Sequence, residues 1–239
     1  MRIDVYFTPL GFNAGDVSGR GVVVIDVLRA TTSVVTALAN GAKAVIPAAT
    51  SEEAVRLASN LEKDGVLLAG ERKSVKIEGF ALGNSPREMT PEVVAGKTIV
   101  LATTNGTPAL VAAQGGDPVL LGAPVNFKAL VERARQALVE RGDLVIVCAG
   151  RERQFALEDA YMAGRLVKAV KKGIRKLDLN EATTAALALT PLYRTWAEAL
   201  EDTAAARQLV EANLGEDVAF AAKQDRFGVV PQYAERRIT

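Results

Sequence analysis

Histidine is absent from this 239-residue chain, cysteine occurs once, and aromatic residues make up 5% of it. Without histidine there is no Ser-His-Asp or Cys-His nucleophile, no phosphohistidine, and no imidazole ligand for zinc or iron. The single Cys148 excludes an internal disulfide framework. With no histidine to activate it, it is expected to be a small buried residue rather than a nucleophile. An excess of either charge is missing too, since Lys plus Arg total 29 against 28 for Asp plus Glu. No global field recruits nucleic acid or an anionic membrane, so any anion site has to be local. The start MRIDVYFTPL has no cationic-then-apolar signal pattern, and the charge-free run from Thr98 to Gly116 is broken by Thr, Asn, Gly and Pro. No bilayer span is expected, and the expected location is the cytoplasm. What remains is oxygen chemistry: carboxylates, amides, hydroxyls and carbonyls are hard ligands, suited to magnesium or calcium.

The chain is 49% hydrophobic and 24% charged, ample for a packed core. Its most informative stretch is Gly21 to Asn40, GVVVIDVLRATTSVVTALAN. Val22 to Ile25 is an uninterrupted β-branched run, the pattern of a parallel strand covered on both faces. Asp26 and Arg29 follow at once, then Thr31, Thr32 and Ser33 at the start of a helix. Charged and hydroxyl groups at the carboxyl end of such a strand, against a helix N-terminus, mark where open α/β sheets bind ligands, anions in particular.

The residues before it, Thr8 to Gly19, read as a loop. A strand at Ala44–Ala49 follows, with Pro47 arguing for a strand end or an edge. A helix is capped by Thr50 and Glu53 and broken at Asp64-Gly65. The strand Val66–Ala69 ends in Gly70-Glu71-Arg72-Lys73. From Lys97 the design starts again: strand 98–101, the polar turn Thr103 to Thr107, a helix, strand 119–121, a helix begun by Asn126, and strand 144–148 ending at Ala149-Gly150-Arg151. Phe155-Ala156-Leu157-Glu158-Asp159 echoes Phe80-Ala81-Leu82-Gly83-Asn84. The expected fold is three-layer α/β/α with a largely parallel sheet, an internal duplication of βαβαβ units, and a helical C-terminal third. Residues 1–96 form the first half and 97–239 the second. Whether the halves share one sheet or face each other as two, the ends at Asp26, Glu71, Thr104 and Arg151 converge on a cleft. The tail Ala234 to Thr239 is expected to fray.

Six ordered motifs carry a resemblance: Asp26 to Thr32, Gly70-Glu71-Arg72, Gly79 to Pro86, Thr103 to Thr107, Cys148-Ala149-Gly150, and Phe155 to Gly164. Together they resemble the 2-phosphosulfolactate phosphatase, or ComB, family. The chain departs from the pattern at Ala81, where an acidic residue is expected. The resemblance implies magnesium-dependent hydrolysis of 2-phospho-3-sulfolactate to sulfolactate and phosphate, a step towards coenzyme M. The expected partner is thus a small anionic phosphorylated substrate, and homo-oligomerisation stays open. Asp26, Glu71 and Glu158 are the candidate catalytic groups. Arg29, Thr31, Thr32, Arg72, Asn84, Thr104, Asn105 and Arg151 are the candidate substrate ligands. Asp26, Glu158, Asp159 and Asp225 are the candidate magnesium ligands. Asp26 either attacks phosphorus or holds a metal that activates water, and Leu28 stands where an Asp-x-Asp phosphatase would carry its second Asp. Two other readings stay open: a phosphatase for another small phosphorylated hydroxy acid, and a non-catalytic anion-binding protein.

Overall fold

In the computed structural model, which describes residues 1–10, 14–61 and 65–239, β1 (Arg2–Tyr6) and β2 (Gly21–Ile25) lead into α1 (Ala30–Ala39), β3 (Ala44–Ala48) and α2 (Ser51–Ser59). The hairpin β4 (Val66–Arg72) and β5 (Val75–Lys76) and the short α3 (Pro91–Val94) complete the first part. Next come β6 (Thr98–Ala102), α4 (Gly106–Ala112), β7 (Val119–Gly122), α5 (Phe127–Arg141) and β8 (Asp143–Cys148). The last third holds α6 (Leu157–Val170), β9 (Asp178–Leu179), α7 (Glu181–Leu189), α8 (Trp196–Glu201), α9 (Ala204–Glu211), α10 (Gly215–Ala221), β10 (Tyr233–Ala234) and β11 (Arg237–Ile238). The Asp64 break and part of the loop from Thr8 to Gly19 lie outside the described residues.

The fold is mixed α/β and mostly parallel, as expected, and its strands form two sheets. One is wholly parallel in the order β7-β2-β8-β1-β9. The other runs β10-β11-β3-β6-β4-β5, with β3, β6 and β4 parallel and the outer strands antiparallel. The two βαβαβ units are β2-α1-β3-α2-β4 and β6-α4-β7-α5-β8. Each begins in one sheet and finishes in the other, and they exchange their first strands: β2 lies between β7 and β8, and β6 lies between β3 and β4.

That exchange explains the burial of the opening run. All five residues of β2 are buried. Val23 and Ile25 pack against Leu130 and Leu138 of α5 and Met162 and Leu166 of α6. Val22 and Val24 share a core with Val34 of α1, Leu110 of α4, and Val45, Ile99 and Leu101 of the second sheet. Each such side chain is worth about 1.5–3 kcal/mol on transfer from water.

Three local expectations change. Pro47 lies in a strand with neighbours on both sides, yet β11 reaches β3 only at Val45, so no partner awaits the missing N–H. β4 runs on to Arg72 instead of stopping at Ala69, because Lys73 and Ser74, both at positive φ, make a tight two-residue turn into β5. The tail does not fray at Ala234: Glu235 and Arg236, also at positive φ, turn β10 into β11, and Ile238 is fully buried against β3.

Candidate active site

Asp26 is the first residue past β2, and the residues after it hold its backbone in place. The Thr31 hydroxyl donates to the Asp26 carbonyl at 2.7 Å and accepts from the Asp26 N–H at 3.1 Å. Thr32 donates to the Val27 carbonyl at 2.8 Å. Both hydroxyls are therefore taken up by the strand-to-helix turn, and neither threonine lines the cavity that Asp26 faces. They brace the turn that carries Asp26. Asp26 Oδ1 accepts from the Ala30 N–H at 3.1 Å.

The four strand ends do converge. Asp26, Glu71, Thr104 and Arg151 line one cavity with Arg29, Asn84, Asn105, Glu158 and Asp159, all named from sequence. Glu71 is held by both oxygens: Oε2 accepts from Ser74 N–H at 2.8 Å, and Oε1 from the N–H and hydroxyl of Thr104, each at 3.2 Å. It clasps the end of β4 to the loop after β6. Asn105 Oδ1 accepts from Glu152 N–H at 3.1 Å, joining that loop to the turn after β8. Asp159 Oδ1 accepts from Val27 N–H at 2.9 Å and its Oδ2 from Gly150 N–H at 3.1 Å, so one carboxylate ties together the ends of β2 and β8. Gly150 has to be glycine: its φ is +65°, and a Cβ there would stand 2.3 Å from the Gln154 carbonyl oxygen.

Besides Thr31 and Thr32, two residues named from sequence lie off the cavity. Arg72 follows Glu71 within β4, and successive strand residues point to opposite faces, so only Glu71 can face the cavity. The Arg72 guanidinium instead donates to the carbonyls of Glu71 and Ala49. Asp225 is not on the cavity either. Its Oδ1 accepts from Lys128 N–H at 2.6 Å, capping α5, because the side chain of Asn126 turns back to Ala123, Leu121 and Val229. The reverse also occurs, since Ser74 and the α9 residues Gln208 and Leu209 line the cavity without having been singled out. Gln208 accepts from the Arg151 guanidinium.

Acids and cations line the cavity together. Burial, with Glu71 and Glu158 close by, raises Asp26 to about 7 from an ordinary 3.8. Burial also raises Glu158, with Arg151 opposing it. Asp159 is raised well above the usual carboxylate range, by burial first and then by Asp26 and Glu158. Burial, with Asp159 and Glu158 close by, pushes the Cys148 thiol well up, which makes it a poor nucleophile. Arg29, Lys73 and Arg151 line the same cavity.

Three buried carboxylates that repel one another are hard oxygen donors, which fit magnesium in kind. Asn84 Oδ1, buried on the same cavity, has no hydrogen-bond partner among the described residues and adds an orphaned acceptor. Among the described residues no group of three or more His, Cys, Asp or Glu is placed so that it could hold a metal ion. Magnesium does not require such a group, since it binds through one or two carboxylates, several waters and substrate phosphate.

The chain is similar to known proteins over nearly its whole length. The family model described as 2-phosphosulpholactate phosphatase matches residues 6–236. A protein of Caldanaerobacter subterraneus subsp. tengcongensis is 42% identical over 97% of this chain and 95% of its own. One of Clostridium acetobutylicum is 36% identical over 100% of both chains, and one of Thermotoga maritima is 39% identical over 96% of this chain and 94% of its own. Each is named "Probable 2-phosphosulfolactate phosphatase". No helix among the described residues is long and apolar enough to cross a membrane.

Proposed function

The chain belongs to the 2-phosphosulpholactate phosphatase family, which makes it a phosphoric monoester hydrolase, and we propose that its reaction is the magnesium-dependent hydrolysis of 2-phospho-3-sulfolactate to sulfolactate and phosphate. The observation that supports this most is the cavity lining, where buried acids and cations meet. The buried acids Asp26, Glu158 and Asp159 line it together with the cations Arg29, Lys73 and Arg151. A substrate carrying a phosphate, a carboxylate and a sulfonate needs such cations gathered locally on a chain that is close to neutral overall. In this reading the reaction is a cytoplasmic step towards coenzyme M.

One or two of Asp26, Glu158 and Asp159 would hold magnesium, which would supply positive charge against both the carboxylates and the phosphoryl oxygens. Arg29 and Arg151 grip the phosphoryl oxygens, and Lys73 on the rim meets a non-reacting acid group. Little covalent work falls to the protein beyond positioning and charge stabilisation. Water attacks phosphorus, the ester P–O bond breaks, and the water's second proton ends on the leaving hydroxyl or in solvent. Direct attack by water fits better than an aspartyl-phosphate because Leu28 takes the place of a second Asp and Asp26 Oδ1 is already tied to Ala30.

Phosphate release from a panel of phosphorylated hydroxy acids, with and without the sulfonate and with magnesium or EDTA, tests the proposal. The expected result is magnesium-dependent turnover, with kcat/KM at least ~10-fold lower when the sulfonate is missing. Equal turnover of the desulfonated acid would reassign the substrate. Protection from heat without any phosphate release would make the chain a non-catalytic anion binder. Rapid-quench labelling that traps a phosphoenzyme would overturn the water route.

A further inference from the structure

Arg29 is only 5% exposed, an unusual place for a guanidinium meant to hold a ligand, and its partner explains the position. Nη1 donates to Asp217 Oδ2 at 2.8 Å, and Asp217, in the first turn of α10, is fully buried. The other oxygen, Asp217 Oδ1, accepts from the Ser85 hydroxyl at 2.6 Å. Arg29 Nη2 donates to the Ser74 carbonyl at 3.2 Å. Two of the five N–H donors are thus fixed by Asp217 and Ser74, while the Arg29 side chain lines the cavity. Asp217 meets no other cation within salt-bridge distance among the described residues.

We propose that Asp217 is a positioning residue for catalysis: its carboxylate, held in turn by Ser85, fixes the Arg29 guanidinium so that its remaining donors meet the phosphoryl group. A buried Asp-Arg pair is a poor source of stability compared with packed apolar groups, which leaves orientation as the reason to keep it. A free arginine would lose rotamer freedom on gripping a phosphate, and one held in place beforehand has already lost it. The pair also spans the fold, since α10 lies 188 residues from Arg29 and grips the turn after β2 and the loop before α3 at once. This inference rests on Arg29 being a phosphoryl ligand.

The test is a double-mutant cycle with Arg29→Gln, Asp217→Asn and the pair together. Two quantities are measured in magnesium buffer: the dissociation constant for inorganic phosphate by calorimetry, and kcat and KM for 2-phospho-3-sulfolactate. Each single variant is expected to weaken phosphate binding by ~10-fold, the scale of one charge-assisted hydrogen bond. For Asp217→Asn, KM should rise more than kcat falls. The double variant should bind phosphate within ~2-fold of Arg29→Gln alone, and it should melt higher than Arg29→Gln, which leaves a buried carboxylate unpaired. An Asp217→Asn effect of equal size in both backgrounds, or none in a folded protein, overturns the positioning role. If Asp217→Asn does not fold, Ser85→Ala decides, with a rise of ~3-fold in the phosphate dissociation constant expected and no rise overturning it. Should Arg29→Gln bind phosphate normally, the phosphoryl-ligand reading fails first. Should the cycle behave as expected while 2-phospho-3-sulfolactate is not hydrolysed, only the substrate assignment fails.

Discussion

Gly106 and Asp26 are so close that a methyl group on Gly106 would stand 3.1 Å from Asp26 Oδ2 and 2.7 Å from Ala30 Cβ. Gly106 opens α4 and does not have a positive φ, so alanine would suit its backbone and only space forbids it. Gly106→Ala is expected to cost about 1–3 kcal/mol of stability through overpacking. It should also lower kcat at least ~10-fold by displacing the carboxylate. Chemical unfolding and steady-state kinetics on the same preparation check both, and unchanged kcat would mean that the Asp26 position tolerates movement.

Asp26→Asn keeps the shape and the acceptor for the Ala30 N–H while removing the charge. Turnover is expected to fall by at least ~100-fold, the scale of losing a principal catalytic group. The melting temperature without metal should hold or rise, since a repelled buried carboxylate is gone. Near-normal turnover would remove Asp26 from the centre of the mechanism.

The metal-free protein should lose stability as pH rises. Folding raises Asp26 from 3.8 to about 7, and it raises Glu158 and Asp159 in the same direction. The folded state therefore binds these protons more tightly than the unfolded state does. Their stabilising contribution is complete below about pH 4 and is lost as pH climbs towards 7. Melting in EDTA should be lower at pH 7.5 than at pH 5, and magnesium should recover much of the difference, because it binds the deprotonated acids. A melting temperature in EDTA that is flat or rises over this range refutes the account.

Thr31→Val separates a brace from an anion ligand. The hydroxyl serves both the N–H and the carbonyl of buried Asp26, so its loss should cost about 1–3 kcal/mol in unfolding free energy. The KM should stay within ~3-fold, because the hydroxyl does not face the cavity. A large rise in KM with normal stability would return Thr31 to the substrate ligands.

Much of this site was legible in the sequence for one local reason. Apolar strands that end abruptly in charge give away their carboxyl ends, which is how Asp26, Glu71, Thr104 and Arg151 came together on paper. The direction of side chains was less legible. Arg72 was grouped with Glu71 because β4 was expected to have ended, whereas two more residues of strand turn it away. Thr31 and Thr32 were the right type for anions, but backbone groups claimed them first. Asp217 and Gln208 were missed because their partners are distant in the chain. One signal was present for Asp217: it lies on the same helical face as the buried Ala221, an acid on an apolar stripe.

The exchanged strands have a consequence for how the molecule can be divided. If the chain were severed near residue 97, the first piece would hold β3 and β4 without the β6 that joins them. The second would hold β7 and β8 without β2. Neither piece could complete a sheet, whereas mixing them would allow both sheets to close by fragment complementation. Since the cavity takes Asp26 and Glu71 from one piece and Thr104, Arg151 and Glu158 from the other, recovered turnover would directly measure reassembly.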